Sequence, residues 1–116
     1  MRHNPAKFLF DAKQAAALIG EFVAGKKLTD YSSNKLLRSG VERQLIIVGE
    51  ALNKLSQHAP DIATRISNYQ KVVAFSNLAV HGYDVINDET VWGIVKIHLP
   101  VLEKELENLL KEQNLD

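Results

Sequence analysis

The sequence contains no cysteine, which excludes disulfide bonds, thiolate metal sites and cysteine nucleophiles. It also has no excess of either charge, because fourteen basic and fourteen acidic side chains give a formal net charge of zero. A strongly basic footprint for nucleic acid is therefore absent over the molecule as a whole, although a local basic patch is compatible with this balance. Zero net charge also offers little electrostatic resistance to self-association.

Long hydrophobic runs are missing as well. No apolar stretch approaches the roughly 20 residues that a transmembrane helix requires, and the opening MRHNPAKFLFDAKQ lacks the apolar core of a secretory signal. We therefore expect a cytoplasmic protein that does not bind membranes. The chain has 116 residues, of which 46% are hydrophobic and 24% charged, so we predict one domain over residues 1–116.

Helical periodicity dominates what the sequence does contain. Apolar residues recur every three or four positions, which predicts amphipathic helices, whereas strand-like alternation between hairpin turns is not found. The fold class predicted is all-α, an antiparallel bundle of four to five helices. The three longest stripes are Phe8, Ala12, Ala15, Ile19 and Phe22; Leu37, Val41, Leu45, Val48, Leu52 and Leu55; and Val95, Leu99, Leu102, Leu106 and Leu109.

Several helix ends can be predicted from local chemistry. Asn4 before Pro5 is typical of a helix start, and Gly25 is the expected stop of that first helix. Ser32 or Ser33 is the expected cap of the second long helix, and Pro60 marks its end.

Glycine and proline inside the helical stripes indicate local constraints. The second long helix is apolar nearly all round in the stretch QLIIVGEAL, which predicts a central position. Gly40 and Gly49 each cost this helix about 1 kcal/mol relative to alanine, and close approach of another helix is the usual compensation. Pro100 is expected to bend the last helix or to remove one of its hydrogen bonds.

The segment FSNLAVHGY at 75–83 holds the main candidates for chemistry. The imidazole of His81 titrates near neutral pH and can give or accept a proton, which suits RNA cleavage through the ribose 2′-OH. That reaction builds negative charge on a phosphate, which a guanidinium or an amide stabilises. Purely structural roles are the alternative for all three residues. His81 could cap a helix end, Asn77 could form a local turn, and Tyr83 could be a packing residue with a solvated hydroxyl.

This segment, with ERQLIIVGEALNKLS before it and DETVWGIVKIHLPVLEKELENLL after it, resembles the HEPN superfamily and, within it, the HepT-like toxins. The likeness covers nearly the whole chain. The family is marked by an Arg, often followed by a polar residue, then by a His, and HepT-like members add a Tyr two residues later. Asn77, His81 and Tyr83 fall on the last three positions, whereas Ser76 occupies the position of the Arg.

The resemblance implies a HEPN-like bundle that forms a homodimer, with a metal-independent endoribonuclease site where the two subunits meet. His81 and Asn77 would belong to that site, and neither a cofactor nor a metal is implied. It further implies a toxin of a toxin–antitoxin pair, with transfer RNA as its substrate. A partner minimal nucleotidyltransferase would neutralise the toxin by adding AMP to Tyr83, where an anionic group would compete with RNA.

Ser76 is the departure from the family pattern. A hydroxyl carries no charge and cannot hold a phosphate bidentately, and losing one preorganised donor costs roughly 10²–10³ in rate. We therefore expect a crippled or inactive nuclease, produced either by an engineered substitution that spares the host or by natural decay. The alternative function is a non-catalytic HEPN module that holds a nucleotidyltransferase or RNA, and a third is a purely structural helical dimer.

Other candidates are weaker. Arg38 and Arg43 on the second long helix are candidates to bind RNA phosphates, although surface solvation or pairing with an acid such as Glu42 accounts for them equally well. Trp92 is expected to pack in the core or in a dimer interface. The remaining histidines, His3, His58 and His98, have no metal-ligand spacing and are interpreted as incidental.

Overall fold

The computed structural model describes residues 4–81 and 87–114, apart from the side chains of residues 78–81 and 114. Within these ranges every regular element is helical, which confirms the all-α prediction. None of these helices is both long and apolar enough to cross a membrane. The elements are α1 (Pro5–Val23), α2 (Leu28–Ser33), α3 (Lys35–His58), α4 (Pro60–Ala63), α5 (Tyr69–His81), α6 (Asp88–Gly93), a π-helical segment (Ile94–His98) and α7 (Leu99–Asn114).

The helix α3 is the centre of the bundle, as its all-round apolar character predicts. It packs against α1 on one side and α5 on the other, and α1 in turn packs against α7. The core between these helices consists of residues at the predicted three- and four-residue spacing. Its fully enclosed members include Leu9, Ile19, Val41, Leu45, Leu52, Leu55 and Leu106.

The ends of α1 follow the sequence prediction, but the start of α3 does not. The Asn4 side chain accepts a hydrogen bond from the Ala6 N–H at 3.0 Å, and Gly25 follows the helix with a positive φ of 71°. The prediction that Ser32 or Ser33 caps α3 is wrong. Both serines belong to α2, so their backbone is helical, whereas a capping residue needs a non-helical backbone.

Asn34 caps α3 instead. Its backbone is extended, with φ −120° and ψ 102°, and its side chain accepts a hydrogen bond from the Leu37 N–H at 3.0 Å. One residue therefore separates α2 from α3. The other end of α3 lies at His58, directly before Ala59 and Pro60, as predicted.

Pro100 is accommodated by a change of helix type. In a regular α-helix its ring would press against the carbonyl of Lys96, four residues earlier. The turn before it is π-helical, and the Leu99 N–H donates to the Ile94 carbonyl five residues back. This wider turn lets α6, the π-helical segment and α7 follow one another without a break.

Charged contacts hold the connection between α4 and α5 against α7. The Arg65 guanidinium donates two hydrogen bonds to the Glu112 carboxylate, at 2.8 and 2.7 Å, and this pairing lowers the pKa of Glu112. The Glu105 carboxylate accepts hydrogen bonds from the Ser67 N–H and hydroxyl, the latter at 2.7 Å. The start of α5 is thereby placed relative to the rest of the bundle.

Tyr31 on α2 is fully enclosed, with its ring 5.5 Å from that of Trp92. Trp92 thus packs at the edge of the core, as expected. The Tyr31 hydroxyl finds no hydrogen-bond partner in the described part of the chain. Burial raises the Tyr31 pKa well above its ordinary value near 10, and the charges of Glu42 and Asp88 raise it further.

The Tyr31→Phe variant is expected to be more stable than the parent by about 1 kcal/mol near pH 7, because it removes a buried polar group that has no partner. Above about pH 10 the unfolded tyrosine ionises while the folded one stays protonated. The folded state then binds more protons, so the parent loses stability as the pH rises and this contribution is absent in the variant. Urea unfolding at both pH values measures this, and a less stable variant near pH 7 would contradict the geometry.

Candidate functional site

The helix α5 runs antiparallel to α3. Tyr69 and Val73, early in α5, share a groove with Asn53 late in α3, whereas Ser76 meets Leu45 in the middle of α3. The five residues beyond Ser76 advance the helix by about 7.5 Å. Position 81, the last of α5, therefore comes level with the first half of α3.

Ser76 lies inside the contact between these two helices. It is 4% exposed, and apart from Tyr31 it is the only enclosed side chain with a polar group among the residues described. Its Oγ is 2.9 Å from the Leu45 carbonyl on α3 and 2.9 Å from the Val72 carbonyl on α5. The single hydroxyl proton is thus used to satisfy backbone acceptors within the core.

Gly49 is what allows Ser76 to lie there. A Cβ built on Gly49 would fall 1.9 Å from the Ser76 Oγ and 2.1 Å from its Cβ, which is far inside any real contact. This confirms that another helix approaches α3 closely at Gly49. At Gly40 an added Cβ would lie 3.4 Å from the Phe22 ring, so this position is close-packed but not blocked.

Asn77 and position 81 lie on a different face of α5 from Ser76. Consecutive residues are about 100° apart on a helix, whereas residues four apart lie one above the other. Asn77 is exposed, and it lines the groove between α3 and α5. The geometry of α5 alone therefore does not bring these three positions to one face. A joint catalytic role for Ser76, Asn77 and His81 stays a prediction.

The side chain of His81 and the whole of Tyr83, two further predicted site residues, lie outside the described part of the structure. The backbone of α5 reaches His81, but its side chain is not among those described, and Tyr83 falls between the two described ranges. Their roles remain sequence-based predictions.

The two candidate arginines have different surroundings. The guanidinium of Arg38 donates to the Ser32 carbonyl near the end of α2, and it is close enough to Tyr31 to oppose the rise of that residue's pKa. Arg38 is thus partly committed to joining α2 and α3. Arg43 is exposed on α3, where it is accessible to a phosphate.

Two of the histidines interpreted as incidental have ordinary surroundings. His58 stacks on the Phe8 ring with 5.5 Å between the centroids, and His98 lines an apolar cavity with Val72 and Phe75. Over the described ranges, no group of three His, Asp or Glu side chains is arranged to hold a metal ion.

Sequence reasoning missed the groove that Asn77 lines. Its other polar members are Asn53 and Ser56 on α3 and Tyr69 and Gln70 on α5. The spacing of Tyr69, Val73 and Asn77, each four residues apart, indicates one helix face. The spacing does not predict which side of α3 this face packs against.

The comparisons with known proteins agree with one another. A family model described as "Ribonuclease HepT-like" matches residues 12–109. The Methanocaldococcus jannaschii protein named "Putative RNase MJ1380" is 30% identical over 102 residues, covering 86% of this chain and 91% of that protein. "Putative RNase TTE0752" from Caldanaerobacter subterraneus subsp. tengcongensis is 22% identical over 110 residues, covering 95% and 97%. No solved structure matches the chain.

Proposed function

Because the chain belongs to the HepT-like ribonuclease family of the HEPN superfamily, we propose that it is an RNA-directed toxin of a toxin–antitoxin pair. Its competent form is a metal-independent endoribonuclease with His81 and Asn77 in the site, and transfer RNA is the proposed substrate. The chain as it stands lacks the arginine of that site. The observation that supports the ribonuclease function is the family match over residues 12–109. The observation that supports the loss of activity is the enclosed Ser76, whose hydroxyl is occupied by the Leu45 and Val72 carbonyls.

The chemistry assigned to the competent form needs one proton carrier and one cation. His81 takes the proton from the ribose 2′-OH as that oxygen attacks phosphorus. The bond to the 5′ oxygen breaks as this oxygen takes a proton from water, which leaves a 2′,3′-cyclic phosphate, and His81 then releases its proton to solvent. Asn77, one turn before His81, orients the linkage. A guanidinium at position 76 would neutralise the charge that develops on the phosphate, and Arg43, which is exposed on α3, would hold a neighbouring phosphate.

The proposed site is shared between two subunits. The exposed Ile97 and Val101 lie one turn apart, at 67% and 54% exposure, and add apolar surface to a chain without net charge. We expect sedimentation at micromolar concentration to give a homodimer. A monomer under those conditions would remove the composite site.

Regulation is proposed to act through Tyr83, to which a partner minimal nucleotidyltransferase adds AMP. With that partner and ATP, mass spectrometry is expected to detect AMP on the parent chain and none on Tyr83→Phe. Tyr69→Phe is the matched control, because Tyr69 is the partly exposed tyrosine of the described residues and should leave the transfer intact. Undiminished transfer to Tyr83→Phe would remove this role.

A Ser76→Arg variant tests the function. In a chelator such as EDTA it is expected to cleave RNA, and the parent is expected to do so at least about 10²-fold more slowly. The variant is also expected to stop growth of a host that expresses it alone, whereas the parent is not. The second candidate function, a non-catalytic module that holds a nucleotidyltransferase or RNA, is favoured by the way Ser76 fits against Gly49. A folded, dimeric Ser76→Arg variant that cuts no RNA, together with co-elution of the partner enzyme, would establish that alternative.

A further inference from the structure

A groove of about 300 Å³ runs between α3 and α5 and ends beside Asn77. Every residue that lines it is uncharged. It differs in this from the groove on the other side of α3, between α1 and α3, where Lys7, Asp11, Glu50 and Lys54 are among the lining residues. The two grooves therefore suit different ligands.

The lining side chains favour a planar ligand with mixed hydrogen-bonding edges. Asn53, Gln70 and Asn77 each offer a carboxamide, which donates and accepts at once. Tyr69 adds a partly exposed aromatic ring at the far end. Among the described residues, the carboxamides of Asn53 and Gln70 make no hydrogen bond to another side chain or to the backbone. They are thus available to a ligand.

Three ligand classes can be compared on this chemistry. A phosphate group requires cationic or clustered N–H donors, and the lining has no cation. An apolar peptide would leave three carboxamides without partners, which is costly when they are covered. A nucleobase carries donors and acceptors on its edges and a π-face for stacking, so it matches both the carboxamides and the tyrosine ring.

The register of α5 connects this groove to the proposed catalytic position. Tyr69, Val73, Asn77 and position 81 follow one another at four-residue intervals, about 6 Å apart along the helix axis. Gln70 lies eleven residues before position 81, about 16 Å along the helix axis. A base bound between Asn53 and Gln70 therefore belongs to a nucleotide a few places along the strand from a linkage at position 81.

We propose that this groove is a base-recognition subsite, which binds a nucleobase a few nucleotides from the linkage at His81 and so sets the base preference of the protein. The inference rests on the proposed function, since it assumes that RNA is the ligand. Asn53 and Gln70 are specificity-determining residues in this assignment, and they take no part in the proton transfers.

The test measures binding of short, labelled poly(A), poly(C) and poly(U) RNAs by fluorescence anisotropy. The variants are Asn53→Ala and Gln70→Ala. Gln44→Ala is the matched control, because it removes the same kind of carboxamide from the groove on the other side of α3. The parent and Gln44→Ala are expected to prefer the same one of the three RNAs. In Asn53→Ala and Gln70→Ala, the ratio between the dissociation constants for the other RNAs and for the preferred RNA is expected to fall about tenfold.

Each other result has a definite meaning. If both test variants keep the base preference of the parent, or lose affinity equally for all three RNAs, the subsite is wrong while RNA binding stands. If the parent itself binds none of the three RNAs, the proposed function fails and the subsite fails with it. Thermal unfolding of each variant, all of them surface substitutions, ensures that the comparison is between folded proteins.

Discussion

The Gly49→Ala variant is expected to lose about 3 kcal/mol of unfolding free energy. The new methyl group would lie 1.9 Å from the Ser76 Oγ and 2.1 Å from its Cβ. A different rotamer of Ser76 can move the Oγ but cannot move the Cβ, whose position is set by the backbone. The two helices must therefore separate, which disturbs the core contact around Leu45 and breaks the hydrogen bond to its carbonyl.

Gly20→Ala is the matched control for this substitution. Gly20 is also inside a long helix, but apart from its chain neighbours and the backbone of its own helix no atom lies within 4 Å of an added Cβ. Alanine there should therefore stabilise the protein by up to about 1 kcal/mol. Adding Ser76→Gly to Gly49→Ala removes the clashing Cβ and is expected to restore much of the lost stability. Urea unfolding followed by circular dichroism gives all three values. Equal stability of Gly49→Ala and Gly20→Ala would contradict the close contact between α3 and α5.

The Ser76→Arg variant is expected to cleave RNA about 10²–10³ times faster than the parent without metal, because it supplies the donor that the site lacks. It also carries a structural cost. The hydrogen bond to the Leu45 carbonyl is lost, and the long side chain must leave an enclosed position beside Gly49. The variant is therefore expected to melt at a lower temperature than the parent.

Ser76→Lys separates the two effects. Lysine is also long and positively charged, but it lacks the planar guanidinium that binds a phosphate through two hydrogen bonds. The Ser76→Lys variant should therefore lower the melting temperature similarly and restore much less cleavage. Adding His81→Ala to Ser76→Arg should abolish the cleavage. The catalytic assignment is wrong if Ser76→Arg is folded and dimeric and yet leaves every RNA intact.

The sequence alone determined the long helices and the family of this protein. A repeat of three to four residues is a local property of an amphipathic helix, so the stripes of α1, α3 and α7 could be read directly. The caps at Asn4 and Gly25 are also local. The cap of α3 was missed because α2 has only six residues, too few to show a stripe, and it includes both candidate serines.

Only the tertiary structure decided which face of α5 meets α3. Residues 76, 77 and 81 are close in sequence, but a helix places Ser76 about 100° from Asn77, and the direction of each depends on where the neighbouring helix lies. That choice arises from many weak contacts between residues far apart in the chain. It encloses the serine against Gly49 and leaves Asn77 at the edge of an open groove.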